Sequence, residues 1–330
     1  MWYALKRFTS PVHFQGSLRR RRYFEGWYFK HVSADGRAVF ALIPGISLSP
    51  SGSTAIVQLI DGATGSTRWF PYPLESFAHS RREFGVSVGE NRFSLRGIDA
   101  RLRDDQGEVE AHLTYAGVTP LPFSIGSPNI MGPYAYVPFM ECYHGVGSLD
   151  HRVDGEVRVG GRRIDFTAGR GYLEKDWGRS MPLAWIWAQA NGFAGPGSCL
   201  LFSLARIPWM GRSFPGFFAL LAEGGGDGRP VIHRFASYTG ARVSRAELRG
   251  RDLFVDISDR RRVLRLHAER SHTGTLLAPV DGAMERRIAE SIDARIGVRL
   301  EDGGRVAFEA SGGNAGLEIV GDTSLIGVDA

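Results

Sequence analysis

Carboxylates set among aromatic rings are the residues of this sequence that most plainly can do chemistry. The stretch Tyr23-Phe24-Glu25-Gly26-Trp27-Tyr28-Phe29-Lys30 returns in altered form as Tyr172-Leu173-Glu174-Lys175-Asp176-Trp177-Gly178. Desolvation among rings disfavours the charged carboxylate and raises its pKa, so such a group is suited to protonating an apolar molecule. In an extended strand Glu25, Trp27 and Phe29 share one face, and Phe24, Tyr28 and Lys30 share the other. Glu25 is then a candidate general acid or ligand-orienting carboxylate, or else a carboxylate paired with an arginine or Lys30 to hold the fold.

The second copy runs on to Trp185-Ile186-Trp187-Ala188-Gln189, where Trp185, Trp187 and Gln189 project from one face. Two indoles and an amide on one wall can line a pocket for a large apolar molecule with one polar end, or form an ordinary aromatic core. Only three of the 40 basic residues are lysine, and two of them, Lys30 and Lys175, fall inside the repeated motif. A compact ammonium paired with Glu25, Glu174 or Asp176 accounts for that choice.

Met140-Glu141-Cys142-Tyr143-His144 adds further titratable groups, followed by Asp150 and His151. On a strand Glu141 and Tyr143 share one face while Cys142 and His144 share the other, which argues against a site that uses Glu141 and His144 together. Glu141 and His144 are nonetheless each candidate acids, bases or hydrogen-bond partners. No metal is expected, since no HExxH or similar ligand spacing occurs. A Gly-x-Ser-x-Gly elbow is missing too, and Gly224-Gly225-Gly226-Asp227-Gly228 lacks the Lys-Ser/Thr of a phosphate cradle and reads as a loop.

The elements that must position these groups are strands. Short alternating apolar segments are separated by turn residues about every ten positions, with 43 glycines in 330 residues, which is the pattern of an all-β sandwich or barrel. Expected strands include Trp27–Val32, Ala38–Ile43, Thr54–Ile60 and Glu108–Tyr115, with a second series that restarts after about residue 150 and runs from Glu156–Val159 and Arg162–Ala168 to Val306–Ala310. Met284, Ile288 and Ile292 permit a short helix or an extended segment. Reading the repeated motif as a duplication gives two domains, 1–155 and 156–330, with the boundary between Leu149 and Gly161 and a pocket at the junction or in a barrel mouth.

Cys142 and Cys199 are too few for a disulfide framework and read as core residues of a reducing compartment. The N-terminus shows no signal-like apolar run, and Pro182–Met210 is interrupted too often to span a bilayer as a helix. A soluble cytoplasmic protein is the expectation, with peripheral membrane contact as the secondary option. The net charge is +5, but the arginines alternate with acids along the chain, which does not suit nucleic acid. Arg19-Arg20-Arg21-Arg22 and Arg260-Arg261-Arg262 are the exceptions, as loop ends or as contacts for anionic lipid headgroups.

The sequence resembles the tocopherol cyclase family. The resemblance is carried by Phe24-Glu25-Gly26-Trp27-Tyr28-Phe29-Lys30, by Phe139-Met140-Glu141-Cys142-Tyr143-His144 with Ser148-Leu149-Asp150-His151, by Lys175-Asp176-Trp177-Gly178 through Gln189, and by Gly316-Leu317-Glu318-Ile319-Val320-Gly321-Asp322. It implies two tandem lipocalin-like β-barrels, similar to carotenoid hydratase-like proteins, and closure of a prenylated quinol to a chromanol without a redox cofactor. In that chemistry an acid, Glu25 or Asp176, protonates the alkene; Trp27, Trp177, Trp185 and Trp187 hold the cation by cation–π attraction, and a phenol oxygen closes the ring. Tyr28, Lys30, Tyr143, Lys175 and Gln189 complete the expected substrate-binding set. The rival readings are a lipocalin-like carrier of a hydrophobic small molecule and an alkene hydratase. Oligomeric state is left open.

Overall fold

Alternation of apolar and polar residues produces strands almost throughout. The structure is a computed structural model that describes residues 2–193, 197–224 and 230–329. The glycine run read as a loop lies outside the described residues beyond Gly224. The one α-helix among the described residues, Trp2–Thr9, was not expected; no helix there is long and apolar enough to cross a membrane. The segment around Met284–Ile292 is extended rather than helical.

Twelve strands form the first antiparallel sheet: β1 (Tyr23–Val32), β2 (Val39–Ser49), β3 (Gly52–Asp61), β4 (Ser66–Pro73), β5 (Phe77–His79), β6 (Gly85–Val88), β7 (Asn91–Ser94), β8 (Gly97–Asp104), β9 (Gly107–Ala116), β10 (Cys142–Val159), β11 (Arg162–Asp165) and β12 (Gly169–Gly178). Their order is β4-β3-β2-β1-β12-β10-β9-β8-β7-β6-β5, with β11 on the flank of β10. The last strand of the series returns to pair with the first. The sheet curls so that β2 and β3 meet β6, and Arg68 Nε of β4 donates to Asp104 Oδ2 of β8 at 2.8 Å.

The second sheet contains β13 (Trp185–Ala190), β14 (Cys199–Trp209), β15 (Arg212–Glu223), β16 (Val231–Ala236), β17 (Arg242–Arg249), β18 (Asp252–Ser258), β19 (Arg262–Glu269), β20 (Gly274–Val280), β21 (Ala283–Asp302) and β22 (Arg305–Val320). Its order, β16-β15-β14-β13-β22-β21-β19-β18-β17, repeats the scheme of the first, with β22 returning to β13. Both are lipocalin-like up-and-down sheets, but among the described residues neither is closed by hydrogen bonds. In the first, β4 and β5 share no ladder, and Pro71 and Pro73 deprive β4 of donors at its free edge. The expectation of barrels is therefore corrected to two curled antiparallel sheets.

The boundary also moves. The compact units are Met1–Asp61 with Ser66–Met181 and Leu276–Arg287, and Gly62–Gly65 with Pro182–Thr275 and Ile288–Ala330. Residues 149–161 lie inside or just past β10, a long strand at the middle of the first sheet. The glycines there mark irregular backbone: the register with β12 shifts between Val146 and Ser148 and again between Ser148 and His151, and Gly155 has φ 126° with His112 O where a Cβ would sit. Bulges of this kind bend a strand without ending it.

The first core joins Tyr23, Trp27, Phe29, Phe40, Leu42, Phe70, Phe93 and Leu173, among others; the second is built around Ile186, Phe202, Leu221, Phe235, Val255 and Leu300. At the first core's edge His31 Nε2 and the Tyr115 hydroxyl are 2.6 Å apart, and His151 Nδ1 and Ser148 Oγ are 3.0 Å apart. Burial pushes His31 down to about 4 and His151 down to about 3. The unfolded chain binds these protons near pH 6.5 and the folded one does not, so stability falls as pH drops below 6.5, by about 1.4 kcal/mol per pH unit per histidine. Melting curves at pH 7 and pH 5 should show that loss, and His31→Gln with His151→Gln should flatten the dependence; equal slopes in the variant and the parent would refute it.

Candidate active site

β1 lies between β2 and β12, and β12 between β1 and β10. The register sets Glu25 opposite Trp177, Trp27 opposite Lys175 and Tyr28 opposite Glu174, and His144 opposite Asp176. The two copies of the sequence motif are thus antiparallel neighbours in one sheet. They do not open two domains; β13, not β12, is the counterpart of β1 in the second sheet's order. What the copies share is local. Tyr23 donates to Glu25, and the Tyr172 hydroxyl donates to Glu174 Oε2 at 2.7 Å, each reaching two residues along one strand face.

Period two sends the two carboxylates to opposite faces. Trp27, Phe29, Leu173 and Trp177 pack in or against the core, so Glu25 and Lys175 are on the core face. There Glu25 accepts from Gln15 N at 2.7 Å and Gly16 N at 3.0 Å as well as from Tyr23, and pairs with Lys175. Lys175 Nζ donates to Pro11 O at 2.9 Å and His13 O at 2.6 Å, 5.0 Å above the Trp27 ring and 4.7 Å above the Trp177 ring. Burial pulls Lys175 down to about 8 against the opposing pull of Glu25. Trp27 Nε1 donates to Val12 O at 2.7 Å. Gly147 admits this segment: a Cβ there would lie 2.4 Å from Val12.

Glu25 and Lys175 are both fully buried. A carboxylate saturated by two amides, a phenol and an ammonium has no lone pair directed at a substrate, and the indole faces beside it are occupied by Lys175. Glu25, Lys175, Trp27 and Trp177 therefore anchor residues 11–16 to the sheet, and the sequence reading of Glu25 as an acid gives way to the structural alternative weighed beside it. Tyr143 stacks on Trp177, centroids 5.4 Å apart and planes 8° apart, and so belongs to this packing as well.

The opposite face carries the acid–base cluster. His144 Nδ1 lies 2.9 Å from Asp176 Oδ1 and Nε2 lies 3.2 Å from Glu174 Oε2. Burial alone would push the imidazole down, but the two carboxylates outweigh it and carry His144 up to about 10. The arrangement favours the imidazolium form of His144 at neutral pH. Cys142 Sγ is 4.0 Å from Asp176 Oδ1; burial, with Asp176 and Glu141, pushes its thiol well up. The shared face of Cys142 and His144 is as the alternation required. Asp176 is the most open member, its side chain 27% exposed against 5% for Glu174.

The three ligand-type atoms lie within 4.8 Å of one another, a composition that also suits a divalent ion. A metal there would take the place of the imidazole proton, since a ligating imidazole must be neutral; the expectation of no metal from sequence spacing did not foresee this donor set.

The remaining expected residues are dispersed. Tyr28 is buried on the trio's face, opposite Glu174, and Lys30 is buried opposite Tyr172. Glu141 stands apart from the trio, raised by burial in the fields of Arg179 and Asp281. Trp185, Trp187 and Gln189 belong to the second unit, on the face of β13 away from that unit's core. Trp185 Nε1 donates to Glu318 Oε2 at 2.5 Å, and the Trp187 ring lies against Gly316, where a Cβ would approach it to 2.4 Å. Sequence reasoning left Glu174 and Tyr172 off the site, although the spacing Tyr172, Glu174, Asp176 already placed all three on one strand face.

Separate variants distinguish the two clusters. Lys175→Met strands the buried Glu25 charge and should cost about 3–5 kcal/mol of stability; the double variant with Glu25→Gln should recover part of it. Urea unfolding reads both. A Lys175→Met protein as stable as the parent would contradict the anchoring role.

Residues 127–205 match the family model described as "Tocopherol cyclase-like", a stretch that includes Glu141, His144, Glu174 and Asp176. No curated protein matches. Among solved structures, kievitone hydratase from Nectria haematococca is 12% identical, with a TM-score of 0.50 over 90% of this chain and 88% of that one. CghA is 10% identical, with a TM-score of 0.56 over 92% and 89%, and its form with Sch210972 is 11% identical, with a TM-score of 0.54 over the same shares. These likenesses are of fold. The resemblance to the tocopherol cyclase family is thereby shown over residues 127–205, where β10, β12 and the acid–base trio lie.

Proposed function

We propose that this protein is an enzyme that adds an O–H bond across an alkene of a hydrophobic, isoprenoid-like substrate without a redox cofactor, with Asp176 moving the proton. The observation that carries the reading is the buried imidazolium of His144 held between two carboxylates, one of which, Asp176, is partly open. Asp176 accepts the proton of the O–H group and returns it to the alkene carbon. The oxygen then bonds to the tertiary cation, so bonds and protons balance with no external acid or oxidant. When the O–H is the substrate's own phenol, the product is a ring of unchanged mass, as in tocopherol cyclase-like chemistry; when it comes from water, the product is a hydrate.

His144 and Glu174 are positioning residues: they fix the orientation of Asp176 and spread its charge, and Tyr172 fixes Glu174. Tyr28 supplies a ring across from Glu174 for a developing cation. The cation walls expected at Trp27 and Trp177 are replaced in this scheme, because Lys175 already sits over both rings. The name of kievitone hydratase, a fold relative, supports keeping hydration within the test.

Incubation with prenylated hydroquinones, followed by chromatography and mass spectrometry, separates the readings. The expected product has the substrate's mass and a new retention time, or has gained one water. Asp176→Asn should lower turnover at least ~100-fold, the scale of lost general acid–base catalysis, and should remain folded. Recovery of unchanged bound ligand from the parent protein would establish the carrier instead, and full turnover in Asp176→Asn would remove Asp176 from the mechanism.

A further inference from the structure

The connection from β9 to β10, residues 117–141, buries Ile130, Met131 and Met140 but holds four large apolar side chains outward. Phe123 is 41% exposed, Ile125 81%, Tyr136 46% and Phe139 65%. They are not scattered along a loose chain. The Tyr136 hydroxyl donates to Ile125 O, and Ser124 and Ser127 close a tight turn on each other. The Tyr143 hydroxyl donates to Val137 O and accepts from Met140 N at 3.3 Å, which fastens the second half of the connection to the sheet.

The same Tyr143 hydroxyl lies in the field of Arg20, whose guanidinium sits 4.6 Å above the Tyr23 ring. Residues 17–22 are all exposed. They present Leu18 and then four arginines, of which Arg22 faces Asp281 at 3.8 Å in an exposed pair. Among the described residues no carboxylate lies within ion-pair distance of Arg19, Arg20 or Arg21. All of these residues belong to the first unit. Exposed aromatic and aliphatic side chains beside a basic run supply the two kinds of attraction that a stable hold on a membrane surface requires, apolar insertion and headgroup charge.

We propose that this face docks on an anionic lipid surface, with Ile125 and Phe139 entering the interface and Arg19 to Arg22 meeting the headgroups. Charge selects this occupant over a second copy of the chain, since a two-fold contact through the patch would bring the two arginine runs together. The proposal stands apart from the chemistry assigned to Asp176 and holds or fails without it.

Cosedimentation with vesicles tests it. The parent protein should bind vesicles containing phosphatidylglycerol, bind pure phosphatidylcholine at least ~10-fold more weakly, and lose binding as salt rises. Replacing Arg19 to Arg22 by Gln should weaken binding at least ~10-fold and abolish the preference for anionic vesicles. Ile125→Ser with Phe139→Ser, surface changes that leave the melting temperature in place, should weaken binding to a similar degree while keeping the salt dependence. Equal binding to both vesicles, no binding to either, or variants that alter only the self-association seen in ultracentrifugation would each overturn the proposal.

Discussion

The ion pair of Glu25 and Lys175 is the interaction on which the site's geometry depends. Both groups are fully buried, and a buried charge left without its partner costs several kcal/mol. The pair therefore holds β1 and β12 in one register and closes residues 11–16 over the core face through Gln15 N, Gly16 N, Pro11 O and His13 O. Once β12 is fixed, Glu174 and Asp176 can leave only by the other face, and the pairing of β10 with β12 brings His144 between them.

One strand thus serves two purposes through its alternation. Lys175 and Trp177 face the first core and bind the fold together; Tyr172, Glu174 and Asp176 project from the opposite face, where Glu174 and Asp176 meet His144. A rigid sheet is a suitable base for such a cluster, because proton transfer is sensitive to displacements well below an ångström, and strands hold position better than loops do. The charge arrangement is equally specific. His144 sits between two carboxylates, of which Asp176 is the more exposed.

Much of this was legible in the sequence. The spacing of Gly and Asp turns gave an all-β chain, and alternation placed Cys142 with His144 and away from Glu141. That Asp176 and His144 are titratable candidates was visible in residue types alone. The choice between Glu25 and Asp176 was not, because alternation says which residues share a face but not which face meets the core, and β1 carries large rings on both: Trp27 and Phe29 on one, Phe24 and Tyr28 on the other. The motif containing Tyr23 and Tyr172 suggested a duplicated domain, yet its repetition reflects a tyrosine donating to a glutamate two residues away on adjacent strands. The repetition that does exist is in strand order. The glycines and aspartates of residues 150–161 resembled a linker because bulged strands and linkers use the same residues.

The proposed chemistry requires His144 to be an imidazolium clamped by Glu174 and Asp176. Nitrogen NMR of the imidazole rings, with His144 assigned by its loss in His144→Gln, measures this directly. Both ring nitrogens of His144 should remain protonated from pH 6 upward and titrate near pH 10. A His144 that titrates near 6.5, or that is neutral at pH 7, would contradict the clamp and the proton-transfer role built on it.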